Sequence, residues 1–178
     1  MPETHPFSDA QVLTYVEQLH AIVDQLASQV AARHGPRIKC KIGCADCCQD
    51  DLTVSAPEAL RIRSAHADLL SHGTPAPPGA CAFLDEDRSC RIYAERPYVC
   101  RTQGLPLRWI EALSSEGELV ERRDICPLNL PEGPPLETLS PDDCWTIGPI
   151  EQRLAAVSAT PERIALRTLF RALHSTSD

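Results

Sequence analysis

The sequence predicts a mainly α protein with small β-hairpins. Apolar residues recur at three- and four-residue spacing near both ends of the chain, whereas short apolar runs flank polar turns in its middle. Eight of the nine cysteines lie between residues 40 and 126, so we expect a single cysteine-rich, metal-centred domain flanked by helices. The expected order is an N-terminal helix over residues 8–35, the metal-binding core over 40–126 and C-terminal helices over 140–174.

The first helix has clear start and stop signals. Ser8 and Gln11 fit a capping box, and Gly35 fits the residue that follows a helix end. Between them runs the apolar stripe of an amphipathic helix, formed by Val12, Tyr15, Val16, Leu19, Ile22, Val23, Leu26 and Val30. We expect the stripe to pack on other helices, and its near-heptad spacing leaves a dimer seam as an alternative.

A second helix and a first hairpin follow. Ser55 is the expected cap of a helix that ends near Gly73, and three prolines over residues 74–79 predict a loop. Residues 81–84 and 89–93 flank a polar tip and predict a tight hairpin. Such a turn brings the cysteines at its two ends near one another.

The remaining elements are shorter. Residues 94–101 predict a turn or helical turn, and residues 105–113 with 119–124 predict a second hairpin. A proline-rich connector then runs to residue 135. Ser140 resembles a helix start, and Gly148 and Pro149 interrupt or restart that helix. A last helix is expected from Thr160 through Ile164, Leu166, Leu169, Phe170 and Leu173.

Charge and hydropathy exclude some functions. The formal net charge of -8, without any compensating basic run, argues against general binding to nucleic acid or to anionic membranes. The first residues lack the pattern of a signal peptide, and no segment approaches the ~20 apolar residues of a membrane span. We therefore expect a protein of the reducing cytoplasm.

Four thiols lie within nine residues, at Cys40, Cys44, Cys47 and Cys48. A thiolate is a soft ligand, and a loop that returns every third or fourth residue can direct several sulfurs at one ion or cluster. Gly43 would allow a positive backbone angle in this loop. An odd cysteine count excludes a fully paired disulfide framework within one chain. The predicted metal ligands are Cys40, Cys44, Cys47, Cys48, Cys81, Cys90, Cys100 and Cys126, with Cys144 as a less favoured ninth candidate.

The cysteine order resembles that of a known family. The pattern reads C-x2-GC-x2-CC, then C-x8-C-x2-Y-x2-RP-x2-CR, then C-P, from Cys40 to Cys126. It is similar to the YkgJ-type cysteine-cluster family, and this resemblance implies a domain that chelates zinc or iron. The related flagellin lysine methylases carry a similar cluster, which is associated with an iron–sulfur centre and S-adenosylmethionine.

The cysteine pattern and the family resemblance leave three functions open. The first is an iron–sulfur protein, with a 4Fe-4S cluster or another iron centre, acting in redox or modification chemistry on a protein or small-molecule partner. The second is a non-enzymatic interaction module stabilised by zinc, and the third is handling of a soft ion such as Cu(I) or zinc. Binding of S-adenosylmethionine as a cofactor is implied only by the resemblance to the flagellin lysine methylases. The C-x3-C-x2-C spacing also fits radical-SAM enzymes, but the chain lacks the alternating strands and helices of their barrel.

Other polar residues near the thiols are also candidate site residues. Arg96 and Arg101 are the candidate cofactor-binding residues, because a guanidinium group offsets the negative charge of a thiolate centre and donates to sulfur. Ordinary surface pairs are the alternative for both. Asp46, Asp50 and Asp51 are expected to be solvated, with capping of Cys47 and Cys48 or binding of hard iron as the alternatives. No catalytic triad order, phosphate-binding loop or dinucleotide fingerprint is present, so no catalytic residue is assigned.

Overall fold

The computed structural model describes residues 6–41, 43–113 and 117–170. Helix accounts for 44% and strand for 15% of it, which confirms a helix-rich protein with small sheets. The helices are α1 (Asp9–His34), α2 (Ala56–Ala65), α3 (Ala67–His72), α4 (Tyr98–Arg101) and α5 (Pro149–Ala156). The strands are β1 (Thr53–Ser55), β2 (Leu107–Ala112), β3 (Leu119–Asp124), β4 (Trp145–Thr146) and β5 (Arg163–Ala165). Short 3₁₀ helices lie at Gly35–Arg37, Pro127–Asn129, Leu136–Thr138, Pro141–Asp143 and Leu166–Phe170.

The chain forms two compact units, each described here by itself. The first unit takes its described residues from Met1–His20, Lys41–Pro97 and Arg153–Asp178, and the second takes them from Ala21–Cys40 and Tyr98–Gln152. Both units are therefore discontinuous in sequence. The prediction of a single domain stays a prediction.

Helix α1 begins and ends where the sequence predicted. The Ser8 amide donates to Gln11 Oε1 at 2.8 Å, and the Gln11 amide donates to Ser8 Oγ at 3.4 Å, which completes the capping box. Gly35 follows the helix with φ of +49°, a conformation that glycine adopts without a Cβ clash. The buried part of the stripe is narrower than expected and consists of Val12, Val16, Leu19, Val23 and Ala27, since Ile22 and Leu26 are exposed.

The second predicted helix is two helices. Ser55 caps α2, and both its amide and its hydroxyl donate to Glu58 Oε2, at 3.2 and 2.9 Å. At His66 the backbone leaves the helical region, with φ of -127° and ψ of 34°. Helix α3 then runs over Ala67–His72, and it ends at Gly73, as predicted. His66 Nε2 lies 2.8 Å from Glu95 Oε2. This hydrogen bond holds the break between the two helices against a neighbouring turn of the same unit.

The core of the first unit combines residues from distant parts of the sequence. Strands β1 and β5 pair antiparallel, with Val54 opposite Ile164. Phe83 and Phe170 pack with ring centroids 5.0 Å apart, and both are almost fully buried. The core is completed by Ala59, Ile62, Leu70, Cys81, Ala82, Ile92, Leu166 and Leu169, and Cys48 and Cys90 are among the residues packed against it.

The predicted hairpin around residues 81–93 is a tight turn with one antiparallel bridge, between Leu84 and Cys90. The Asp85 amide donates to the Ser89 carbonyl at 2.8 Å, and the Arg91 amide donates to the Phe83 carbonyl at 2.9 Å. The turn is therefore confirmed, although its arms are too short to count as strands.

The second unit contains a three-stranded sheet in the order β3-β2-β4. Strands β2 and β3 form the predicted second hairpin, with Leu107 opposite Asp124, whereas β4 runs parallel to β2. Trp145 on β4 donates its indole N–H to the hydroxyl of Tyr98 at 2.8 Å. This bond anchors helix α4, which carries Cys100, to the sheet.

The C-terminal prediction is largely wrong. Pro141–Asp143 is a single 3₁₀ turn that leads into β4, so no long helix starts at Ser140, although α5 does restart at Pro149 as expected. The predicted last helix is strand β5 followed by a 3₁₀ helix over Leu166–Phe170. Pairing of β5 with β1 outweighs the helical spacing of its apolar residues. Leu173 lies outside the described residues.

Within the described residues, no helix is long and apolar enough to cross a membrane.

Candidate metal centre

The first cysteine loop is built from tight turns. The Cys44 amide donates to the Lys41 carbonyl at 2.9 Å, and the Cys48 amide donates to the Ala45 carbonyl at 3.0 Å. Gly43 has φ of +88°, as the sequence predicted. Within this loop, Cys40 belongs to the second unit, while Cys44, Cys47 and Cys48 belong to the first.

Cys47 and Cys48 share a hydrogen bond between their thiols. That bond is the main reason why the pKa of Cys47 falls from its ordinary value of 9.0 to about 6, against the opposing effects of burial and of the Asp46 charge. A thiol with such a pKa is mostly ionised at neutral pH, which is the form that binds metals. All nine cysteines lie in the described residues, and none forms a disulfide.

Cys81 and Cys90 lie at the two arms of the first tight turn. The Cys81 amide donates to the Cys48 carbonyl at 2.9 Å, so the main chain links this turn to the first loop. Burial is the main cause that raises the pKa of each of these two thiols, and repulsion from the Cys90 thiolate contributes to the rise at Cys81. The turn therefore places the two sulfurs within electrostatic range of each other, as predicted.

Arginine charges act on both of these thiols, of which Cys81 is buried and Cys90 is half-buried. The charges of Arg96 and Arg91 partly oppose the effect of burial on the pKa of Cys90, and the charge of Arg167 does the same at Cys81. Arg96 donates to the Tyr93 carbonyl at 2.9 Å, and its guanidinium carbon lies 4.3 Å from the Tyr93 ring centroid. Arg91 donates to the Ala82 carbonyl at 2.7 Å. A thiolate on this turn would therefore be partly compensated by the charges of arginines that other contacts hold in place.

Arg101 has a different setting. It belongs to the second unit, where its guanidinium donates to Asp24 Oδ2 at 2.5 Å and its side chain is only 3% exposed. The contact joins a buried guanidinium group to a carboxylate that is 44% exposed, and its partner is none of the nearby acidic residues of the first unit. Its role beside a cofactor stays a prediction.

Arg167 was missed by sequence reasoning, because its segment was assigned to a helix. Its guanidinium donates to both carboxylate oxygens of Asp50, and to the carbonyls of Ala76, Pro77 and Ala80 at 2.7 to 3.2 Å. The bond from Arg167 is the main cause that lowers the pKa of Asp50. Asp50 is thus an anchor for this arginine, and the two line a cavity of about 170 Å³ that Cys81 also borders.

The cysteines of the second unit are Cys40, Cys100, Cys126 and Cys144. Cys100 lies on α4, and Cys126 precedes the 3₁₀ turn Pro127–Asn129. Cys144 is 5% exposed, and burial raises the pKa of its thiol. The buried Asn129 approaches Cys40, with its Nδ2 3.8 Å from the sulfur. Sequence reasoning missed Asn129, whose signal was its position three residues after Cys126.

Across the part of the chain that is described, no three Cys, His, Asp or Glu side chains are grouped closely enough to hold a metal ion. The eight-cysteine ligand set therefore stays a prediction. His34 contacts the Asp143 carbonyl at 2.7 Å.

The order of eight cysteines from Cys40 to Cys126 defines the chain as a cysteine-cluster protein. The sequence model of the CxxCxxCC family, described as a "putative zinc- or iron-chelating domain", matches residues 39–127, which is half of the chain. The chain belongs to this family, which confirms the resemblance found in its sequence. The match contains all eight predicted ligands and leaves Cys144 outside. No curated protein and no solved structure matches the chain significantly.

Proposed function

We propose that this chain is an iron-binding protein that holds an iron–sulfur cluster on its clustered cysteine thiolates. The observation that carries the proposal is the donor set, because eight cysteines lie within the matched region of a zinc- or iron-chelating family and none of them forms a disulfide. The charges of Arg91 and Arg96 also favour the Cys90 thiolate, although burial still raises its pKa. A centre ligated only by thiolates is net negative, so it is stabilised by guanidinium groups that are already held in place. Arg167 beside Cys81 extends the same compensation.

The donor set fits such a cluster. Its candidate ligands are all thiols, which iron–sulfur clusters prefer, and none is consumed by a disulfide. When bound, an iron–sulfur cluster supplies one-electron chemistry. The residues of the chain would hold it through sulfur, and Phe83 and Ile92 in the core beside Cys81 and Cys90 would exclude water. The resemblance to the flagellin lysine methylases supports iron–sulfur over zinc. We also propose that the protein works in the reducing cytoplasm and that its partner is another protein or a small molecule.

Zinc is the second candidate, because one observation favours it. Cys81 belongs to the apolar core of the first unit, and Cys48 and Cys90 pack against it. A metal bound there would join core segments and contribute directly to folding, as structural zinc does. In this case the protein would be a non-enzymatic module.

Metal and acid-labile sulfide analysis of protein purified without oxygen tests the proposal, together with its visible absorption spectrum. A brown protein with iron and sulfide in similar amounts is the expected result. A colourless protein that contains zinc, and that fails to take up iron and sulfide on reconstitution, would replace the first candidate by the second. Protein that binds neither metal would end both.

A further inference from the structure

Asn129 is fully buried, and its side-chain amide has a single possible orientation. The Lys39 amide donates to Asn129 Oδ1 at 2.9 Å, and Asn129 Nδ2 donates to the Gly104 carbonyl at 2.7 Å. A backbone amide can only donate and a carbonyl can only accept, so these two partners decide which end of the side chain carries the nitrogen.

The second hydrogen of Nδ2 is then available to sulfur. Cys40 Sγ lies 3.8 Å from Nδ2, at the long end of an N–H···S contact. Gly104 leaves the space that this sulfur occupies, because a Cβ at Gly104 would lie 2.1 Å from Cys40 Sγ. Gly104 also has φ of +93°. Glycine is therefore required here both by the backbone conformation and by the space that the sulfur occupies.

The backbone of Asn129 links it to a second predicted ligand. Its amide donates to the Cys126 carbonyl at 2.8 Å, which closes the 3₁₀ turn after Cys126. Its carbonyl accepts from Arg37 Nε at 2.9 Å, and Arg37 also donates to the Pro134 carbonyl at 3.1 Å. Asn129 thus contacts Cys40 through its side chain and Cys126 through its main chain.

We propose that Asn129 is a positioning residue for the metal centre, which donates an N–H···S hydrogen bond to the Cys40 thiolate and ties Cys40 to Cys126. The inference rests on the proposed function, and it adds a residue that lies outside the matched family region of 39–127. Amide donors to ligand sulfurs orient them and withdraw electron density from them. The bound metal should therefore be released more slowly, and sulfur-to-metal charge transfer should lie at higher energy.

Cobalt(II) is the probe, because its bond to thiolates gives an absorption band. In the full chain, Asn129→Asp keeps the acceptor for Lys39 and removes both Nδ2 donors, the one to sulfur and the one to the Gly104 carbonyl. We expect the variant to release Co(II) to a chelator about 10- to 100-fold faster than the wild type, with the band shifted to longer wavelength. A general loss of packing would speed release without shifting the band in this direction.

A double-mutant cycle with Cys40→Ser shows whether the effect acts through Cys40. With the sulfur absent, Asn129→Asp should change neither the release rate nor the band further. Equal effects in both backgrounds would overturn the inference, as would an Asn129→Asp variant that matches the wild type. If the wild type itself binds no Co(II), zinc or iron, the proposed function fails and the inference falls with it.

A second variant covers the case in which Asn129→Asp does not fold. Gly104→Ala places a Cβ 2.1 Å from Cys40 Sγ and 3.2 Å from Asn129 Nδ2, so it disrupts the contact without replacing Asn129. Gly117→Ala is its control, since Gly117 has φ of +87° and nothing within 4 Å of an added Cβ. Faster Co(II) release from Gly104→Ala than from Gly117→Ala is expected. Equal release from the two alanine variants would overturn the inference.

Discussion

At the scale of single residues, each thiol has its own electrostatic setting. The Cys47 thiol is favoured as a thiolate by a hydrogen bond from Cys48, whereas burial raises the pKa of Cys81 and of Cys90 despite the opposing charges of Arg167 and of Arg91 and Arg96. A metal ion would favour deprotonation of any thiol that binds it. The cysteines of the matched family region are therefore not chemically equivalent.

Replacing Cys90 by Ser should release metal and lower the free energy of unfolding together, because metal binding contributes to folding. Cys44→Ser should behave in the same way. The matched control is Cys144→Ser, which removes a buried thiol outside the family match and should change metal content much less. Metal analysis and urea unfolding of the purified variants measure both effects. Full metal content in the Cys90 variant would remove Cys90 from the ligand set.

At the scale of elements, the 3₁₀ helix Leu166–Phe170 is essential to the first unit. Phe170 is 3% exposed and packs on Phe83, so Phe170→Ala should cost about 3–5 kcal/mol of unfolding free energy. Leu128→Ala is the control, because Leu128 is 44% exposed and should cost under ~0.5 kcal/mol. Urea unfolding compares the two, and similar midpoints for both variants would contradict the assigned core.

The sheet of the second unit predicts a pH effect. The bond from Arg123 is the main cause that lowers the pKa of Glu121, and Arg108 adds to it. A carboxyl whose pKa is lowered in the folded state stabilises it above its unfolded pKa, and this contribution is lost as pH falls through the folded pKa. Glu121→Gln should therefore lower the urea midpoint at pH 7, with the difference from wild type shrinking towards pH 3. Glu111→Gln, which loses one bond from Arg122, should have a smaller effect, and a constant difference for Glu121→Gln across pH would contradict the ion pair.

Local signals predicted the elements that depend on local chemistry. Ser8 with Gln11, Ser55 with Glu58 and the two hairpin turns all act within a few residues, and the structure contains each of them. Strand β5 could not be predicted in this way, because Ile164 pairs with Val54, 110 residues earlier in the chain. The same holds for the side-chain contacts of Arg167 and Asn129, whose partners lie roughly 25 to 120 residues away.

At the scale of the whole molecule, metal binding and stability should be linked. A metal that binds only the folded protein adds about 2.7 kcal/mol when its free concentration is 100 times the Kd. Stripping the metal with a chelator should therefore lower the urea midpoint, and restoring iron or zinc should raise it again. Wild-type protein and Cys90→Ser are compared in the same titration. A midpoint that is independent of metal would mean that bound metal does not stabilise the fold.

The discontinuous core of the first unit has a consequence for biosynthesis. Cys90 is translated 80 residues before Phe170, which corresponds to on the order of 4–16 s at typical rates of synthesis. During that interval Phe83 has no aromatic partner, and Cys48, Cys81 and Cys90 lack part of the core that later packs around them. The nascent chain therefore presents reactive sulfur to the cell before its apolar cover exists, and delivery of iron or zinc at this stage would compete with oxidation.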